Sequence, residues 1–131
     1  MPDGGDTPSM NVLLGIGGAD DSLDALDETV ARAVDAGDDL MVAVVENPES
    51  DRVPEELVDA ARAALEDAGL PVDVRRLSGD PGSAIVELAE SEGFDQVVLG
   101  GGQRSPMGKI RLGHISEFVL LNSRVSVKLV R

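Results

Sequence analysis

The chain has 131 residues and a formal net charge of −14 at pH 7, and 42% of its residues are apolar. This length suits one domain with a buried core, and the apolar share argues against a disordered or fibrous chain. The absence of cysteine excludes disulfides, thiolate metal sites and a cysteine nucleophile, and the single histidine, His114, excludes a site built from two imidazoles of one chain.

The first ten residues are polar and lack the charged start and apolar middle of a signal peptide. We therefore expect a flexible tail at 1–10, one domain at 11–131 and a cytoplasmic location. No apolar run is long enough to span a bilayer, so we expect no membrane association.

The first predicted unit is a strand, a helix and a strand. Residues 11–16 form an apolar run that ends in Gly17 and Gly18, which is typical of a buried strand. Apolar residues then recur at helical spacing between acids, and Gly37 predicts the end of that helix. Residues 40–45 are a second continuous apolar run and predict a second buried strand. The apolar positions predicted for the helix are Leu23, Leu26, Val30 and Val34.

The rest of the chain continues this alternation and predicts the fold class. Apolar strands that alternate with helices indicate a single-domain α/β fold, a doubly wound five-stranded parallel sheet with helices on both faces. The charged residues around 72–74 indicate a half-exposed edge strand. In order, the predicted elements are helix 54–68, strand 72–74, helix 81–92, strand 96–99, loop 100–113, a short helix and strand 125–130.

Two glycine clusters follow the predicted first and fourth strands. The first holds Gly15, Gly17 and Gly18, and the second covers residues 100–102. These two strands can be neighbours at the point where the strand order reverses, and ligands of open parallel sheets bind there. The glycines of the first cluster are as well explained by tight turns as by binding, whereas the basic residues beside the second favour binding.

The charge of the chain is uneven. Residues 100–131 carry six basic residues and one acid, a net charge of +5, whereas residues 1–99 carry a net charge of −19. A positive segment in a negative protein indicates an anionic ligand, and the acidic remainder would repel a nucleic acid backbone. We therefore predict a small phosphorylated ligand and no nucleic acid partner.

The loop at 100–113 combines glycines with donors for a phosphate group. A helix that starts near His114 adds backbone N–H groups that favour an anion. The loop is not a Walker loop, because no Gly-Lys-Ser or Gly-Lys-Thr is present, and the dinucleotide fingerprint belongs after a first strand. The charged and hydroxyl donors of the loop are Arg104, Ser105, Lys109 and Arg111.

These segments resemble the universal stress protein family. The main similarity lies in residues 97–100, 113–117 and 127–131. Residues 11–18 and 79–81 support it, and the resemblance covers nearly everything after Met10. It implies an adenine nucleotide alpha-hydrolase-like fold and a nucleotide-binding protein of the stress response. In the ATP-binding branch of that family the signature has a glycine, two residues, a glycine, nine residues, a glycine and then Ser or Thr.

This chain keeps part of that signature. Gly100 and Gly113 match its outer glycines, whereas Gln103 replaces the middle glycine and His114 replaces the hydroxyl residue. The family's aspartate at the end of the first strand falls on Gly17, so a carboxylate ligand for metal or nucleotide is missing.

The resemblance implies a ligand and a set of residues that hold it. The ligand is ATP or another adenine nucleotide, with or without Mg²⁺, and its adenine would lie against the backbone near Gly15, Gly17 and Val44. We predict no catalytic residue and no metal ligand, and we expect at most slow ATP hydrolysis because no general base is poised for water. The nucleotide-binding residues predicted in this way are Gly15, Gly17, Val44, Gly100, Arg104, Ser105, Lys109, Gly113, His114 and Ile115.

Three functions stay open at this point: a nucleotide-binding stress protein, a family member that has lost nucleotide binding and acts as a dimeric regulatory or interaction module, and an enzyme for a phosphorylated or adenylated substrate. In the family the last strand commonly pairs with its copy, so we expect a homodimer through Val125–Val130. The acidic chain, with only Lys109 and Lys128 as lysines, resembles a haloarchaeal member and favours a salt-rich cytoplasm over an ordinary acidic mesophilic protein.

Overall fold

The computed structural model of the chain describes residues 10–17, 22–46, 53–100, 103–104, 110–111 and 114–130. The predicted tail therefore lies outside the described residues, except for Met10. No helix of the described ranges is both long and apolar enough to cross a membrane. The elements are β1 (Asn11–Ile16), α1 (Ser22–Ala36), β2 (Asp39–Val45), α2 (Pro54–Asp67), β3 (Val74–Leu77), α3 (Pro81–Ser91), β4 (Gln96–Gly100), β5 (Gln103–Arg104), β6 (Ile110–Arg111), α4 (His114–Asn122) and β7 (Ser126–Val130).

Five strands form one sheet in the order β3-β2-β1-β4-β7, and every neighbouring pair is parallel. The predicted five-stranded parallel sheet is therefore confirmed. The chain moves from β1 to β2 and β3 on one side and then to β4 and β7 on the other, so the strand order reverses between β1 and β4. β1, which Gly17 follows, and β4, which ends in Gly100, are neighbours, as predicted.

The core has two layers, one on each face of the sheet. Leu14 is fully buried in the layer formed with α1 and α2, and its neighbour Leu13 is fully buried in the layer formed with α3 and α4. Successive side chains of a strand point to opposite faces, so a sheet covered on both faces needs continuous apolar strands. This requirement explains why the strands of this chain could be recognised as unbroken apolar runs.

The apolar stripe of α1 differs in one position from the prediction. Leu26 and Val30 are buried as expected, but Val34 is 49% exposed, so its predicted place in the stripe was wrong. Ala33 is buried instead. At 3.6 residues per turn Val34 lies about 80° around the helix from Leu26, whereas Ala33 lies about 20° from it.

The predicted ends of the helices are confirmed where the structure describes them. Gly37 has φ of 72°, a left-handed conformation that ends α1, and its N–H donates to the carbonyl of Ala33 at 2.8 Å. The carboxylate of Asp80 accepts the backbone N–H of Ser83 at 3.0 Å and caps α3, in which Pro81 is the first residue.

The predicted loop 100–113 contains an element that the sequence did not reveal. Short strands β5 and β6 pair antiparallel, with Gln103 opposite Arg111 and Arg104 opposite Ile110. The sequence predicted a long loop here and gave no sign of this hairpin. The hairpin leaves two residues between β4 and β5 and two between β6 and α4.

Candidate functional site

The candidate site lies at the carboxyl edge of the sheet, where β1 and β4 end side by side. Gly15 is in register with Leu99, so Gly17 and Gly100 follow at the same edge, and both are half-buried. Ligands of open parallel sheets bind outside the carboxyl ends of strands at such a reversal. The fold thus brings together two of the predicted site residues that are 83 positions apart in the chain.

Gly15 has a packing role inside β1. A Cβ atom at this position would lie 2.8 Å from Leu99 Cδ2 and 2.9 Å from Ile85 Cδ1, closer than carbon atoms approach without strain. Val44 lies one residue before the end of β2, and its side chain is fully buried in the layer with α1 and α2. Any contact of Val44 with a ligand therefore involves its backbone.

The start of α4 is fixed to the end of β4. The hydroxyl of Ser116 donates to the carbonyl oxygen of Gly100 at 2.8 Å, and Ser116 is only 7% exposed. Ile115 is half-buried and packs against the layer on the α3 and α4 face. The first N–H groups of a helix have no intrahelical partners, so this anchoring places unsatisfied donors beside the carboxyl edge. The sequence prediction missed Ser116, although a serine within the first turn of a predicted helix was visible.

The remaining predicted residues belong to the loop. Arg104 lies in β5 and His114 is the first residue of α4, and for both the structure describes the backbone and not the side chain. Ser105, Lys109 and Gly113 lie outside the described residues. Their predicted contacts with a phosphate group stay predictions.

The described residues do not offer a ready metal site. Among them, no group of three His, Asp or Glu side chains is placed to hold a metal ion. Gly17, at the end of β1, brings no carboxylate to the carboxyl edge. Mg²⁺ prefers oxygen ligands and commonly keeps several waters when it binds with a nucleotide. A magnesium ion held by carboxylates of this chain does not fit the described part of the site.

The amino edge of the sheet has a different chemistry. Asp38 Oδ1 accepts the backbone N–H of Met10 at 2.9 Å, and Asp95 Oδ2 accepts that of Asn11 at 2.9 Å. A small pocket at this edge is lined by residues that include Thr29, Arg32, Asp38 and Lys128. It is therefore separate from the candidate site.

Comparison with known proteins gives one family. The family model described as "Universal stress protein family" matches residues 9–131. A universal stress protein of Methanocaldococcus jannaschii is 30% identical over 99 residues, which cover 73% of this chain and 61% of that protein. The stress response protein NhaX of Bacillus subtilis is 30% identical over 97 residues, which cover 71% of this chain and 58% of that protein. The chain thus matches about three fifths of each of these curated relatives.

Solved structures agree with the fold. A universal stress protein in complex with cAMP has a TM-score of 0.73 and 26% identity, with 95% of this chain and 98% of that chain covered. A universal stress protein of Archaeoglobus fulgidus in complex with dAMP has a TM-score of 0.64 and 18% identity, with 93% and 98% covered. The α/β fold with its parallel sheet is the fold of these proteins.

Proposed function

The chain belongs to the universal stress protein family, and we propose that it binds an adenine nucleotide at the carboxyl edge between β1 and β4. The observation that carries this proposal is the meeting of Gly17, Gly100 and the start of α4 at the reversal of strand order. Two proteins of similar fold were solved with cAMP and with dAMP, and both ligands combine adenine with a phosphate group.

In this proposal the two parts of the ligand meet different parts of the edge. The adenine lies against the backbone around Gly15, Gly17 and Val44. It packs there on an aliphatic surface, and this packing does not require an aromatic side chain. The phosphate lies against the segment 100–115, which has a net charge of +3 in a chain of net charge −14. Backbone N–H groups of the first turn of α4 and the donors of the loop complete its contacts. The donors proposed in the loop are Arg104, Ser105, Lys109 and His114, with Gly100, Gly113 and Ile115 forming the backbone around them.

The proposed biological role combines the family with this ligand. We propose a stress-response protein that senses adenine nucleotide levels in a salt-rich cytoplasm, as its acidic and lysine-poor composition favours. A magnesium ion, where one accompanies the nucleotide, would be held by phosphate oxygens and water. Hydrolysis of ATP is slow at most, because the proposed site lacks a residue predicted to act as general base.

The chain offers a matched pair of variants to test the proposal. Its only two lysines are Lys109 in the loop and Lys128 in β7, and Lys128 lines the pocket at the amino edge. Thermal unfolding is measured in concentrated KCl with ATP, ADP, AMP or cAMP, with and without Mg²⁺. A ligand that binds only the folded protein raises the midpoint by mass action.

We expect one or more of these nucleotides to raise the midpoint of the wild type and of Lys128→Ala. Lys109→Ala should weaken or abolish this effect while its own midpoint without nucleotide stays near that of the wild type. Saturating nucleotide without any shift in the folded wild-type protein would end the proposal. A shift that both lysine variants retain in full would remove Lys109 from the site.

The departures from the family signature favour a second candidate function. Gln103 and His114 stand where the ATP-binding branch has glycine and a hydroxyl residue, and Gly17 stands where the family has an aspartate. Together with β7 at an edge of the sheet, they favour a homodimer paired through Val125–Val130 that acts as an interaction module without nucleotide. The double variant Gln103→Gly, His114→Ser separates the two candidates. A nucleotide affinity that appears only in this variant supports the second, and an affinity already present in the wild type supports the first.

A further inference from the structure

Ser116 makes a contact that its position in a helix does not require. It is the third residue of α4, and serines near a helix start commonly bond to the backbone of their own turn. Here the hydroxyl instead donates to the carbonyl of Gly100, 16 residues earlier in the chain. Gly100 is the last residue of β4, so this hydrogen bond joins the end of a central strand to the first turn of the helix that follows the loop.

The loop between these two residues is closed at two levels. At its base, Ser116 and Gly100 hold α4 against β4. Above the base, the pairing of Gln103 with Arg111 closes the hairpin. Only residues 101–102 and 112–115 separate the two closures, so the position of the hairpin depends on how firmly the base is held.

We propose that Ser116 is a positioning residue for the nucleotide site: its hydrogen bond to Gly100 holds the start of α4 at the end of β4 before a ligand arrives. This inference rests on the proposed nucleotide-binding function. Ser116 is buried at 7% exposure, so its hydroxyl acts on the loop and does not itself contact the ligand. A site in which the start of α4 is already held beside the end of β4 loses less conformational freedom on binding, and the affinity rises accordingly.

The variant Ser116→Ala removes the hydroxyl and adds no atom to the packed interior. The loss of one hydrogen bond corresponds to a factor of about five in the equilibrium between the state in which the start of α4 is held at Gly100 and the state in which it is released. Ser123→Ala is the matched control, because the Ser123 hydroxyl is half-buried just after α4 and bonds only to Val125 among the described residues.

The first readout is amide hydrogen exchange without ligand, followed by mass spectrometry of peptides that cover residues 103–111 and 57–65. We expect Ser116→Ala to exchange about fivefold faster in peptide 103–111 and at the wild-type rate in peptide 57–65 of α2. Ser123→Ala should leave peptide 103–111 unchanged. Equal acceleration in both peptides of Ser116→Ala would show a general loss of stability and would overturn the positioning role, as would no acceleration.

The second readout is the dissociation constant for the nucleotide that stabilises the wild type most. We expect Ser116→Ala to raise it about fivefold and Ser116→Thr, which keeps a hydroxyl, to bring it back toward the wild-type value. An unchanged constant in Ser116→Ala would overturn the inference. A wild type that binds no nucleotide would defeat the proposed function, and the exchange experiment would still decide whether Ser116 holds the base of the loop.

Discussion

The two edges of the same sheet are held together by different means. At the amino edge, the carboxylate of Asp38 accepts the backbone N–H of Met10, just before β1, and that of Asp95 accepts the N–H of Asn11, the first residue of β1. The backbone adds to this, because the carbonyls of Met10 and Asn11 accept the N–H groups of Asp39 and Asp95. At the carboxyl edge, Gly17 follows β1 and Gly100 ends β4, and the Ser116 hydroxyl joins α4 to the end of β4. Further along this edge, Arg76 of β3 pairs with Glu46 and Glu55.

This difference separates stability from binding within one sheet. Carboxylates that bond to the backbone of a strand fix its register, and their charge repels a phosphate group. Glycines leave the backbone open to a ligand, and the loop that follows β4 brings positive charge. Changes at the amino edge should therefore lower stability without changing nucleotide affinity. Changes in the loop should lower nucleotide affinity without lowering stability.

The largest expected effect comes from the strand that joins both edges. Leu14 in the middle of β1 is fully buried, whereas Leu121 on α4 is 76% exposed. Leu14→Ala should lower the free energy of unfolding by about 2–5 kcal/mol, because it removes apolar contacts and leaves a cavity. Leu121→Ala should change it by less than about 0.5 kcal/mol. Urea unfolding followed by circular dichroism measures both, and similar values for the two would contradict the described core.

A smaller effect is expected at the amino edge itself. Asp38 is 7% exposed and accepts the Met10 N–H, whereas its neighbour Asp39 is exposed. Asp38→Ala should lower the free energy of unfolding by about 1.5–3 kcal/mol, the range for hydrogen bonds to charged groups, and Asp39→Ala should change it much less. The nucleotide dissociation constant should stay at the wild-type value in both variants. A weaker affinity in Asp38→Ala would break the separation of the two edges.

The variant at Gly15 tests whether close packing explains the glycine at this position of β1. Gly15→Ala places a methyl group against Leu99 and Ile85 and should lower the free energy of unfolding by about 1–3 kcal/mol. Ile85→Val removes the Cδ1 atom that the new methyl group would contact, so the double variant Gly15→Ala, Ile85→Val should recover part of this loss. Urea midpoints of the two variants and of Ile85→Val alone measure the recovery, and strictly additive losses would show that the contact does not explain the glycine.

The smallest effect depends on pH and lies at the start of α3. The backbone N–H of Ser83 beside Asp80 lowers the pKa of that carboxyl from its ordinary value. A lowered pKa means that the cap stabilises the fold above the ordinary pKa of aspartate, near 4, and that this contribution is lost as the pH falls through the native pKa. Asp80→Asn keeps an acceptor without titrating. The urea midpoints of wild type and variant should therefore converge toward acid pH, and parallel curves would contradict the cap.

The fold was predictable because its signals are local. A strand buried on both faces must be apolar at every position, and a helix that ends in a left-handed glycine shows that glycine in the sequence, as Gly37 does. The adjacency of β1 and β4 also followed, since a doubly wound order allows few other arrangements. These features made the carboxyl edge and its glycines visible before the structure.

What the sequence did not reveal depends on contacts between distant segments. The hairpin of β5 and β6 has two residues in each strand, too few for a periodic pattern. The hydroxyl of Ser116 donates to the backbone carbonyl of Gly100. Every residue has such a carbonyl, so the sequence does not reveal which one accepts the hydrogen bond. Asp38 and Asp95 resembled any other acids of a strongly acidic chain, and only their meeting with the start of β1 distinguishes them.

The most direct test of the proposed site is a nucleotide titration of the ¹⁵N-labelled protein, followed by its amide NMR signals. The account predicts that AMP or ATP shifts the signals of Gly17, Gly100 and Ile115 at the carboxyl edge, while those of Asn11 and Asp95 at the amino edge stay in place. Shifts centred on Asn11 and Asp95, or none at saturating nucleotide, would contradict it.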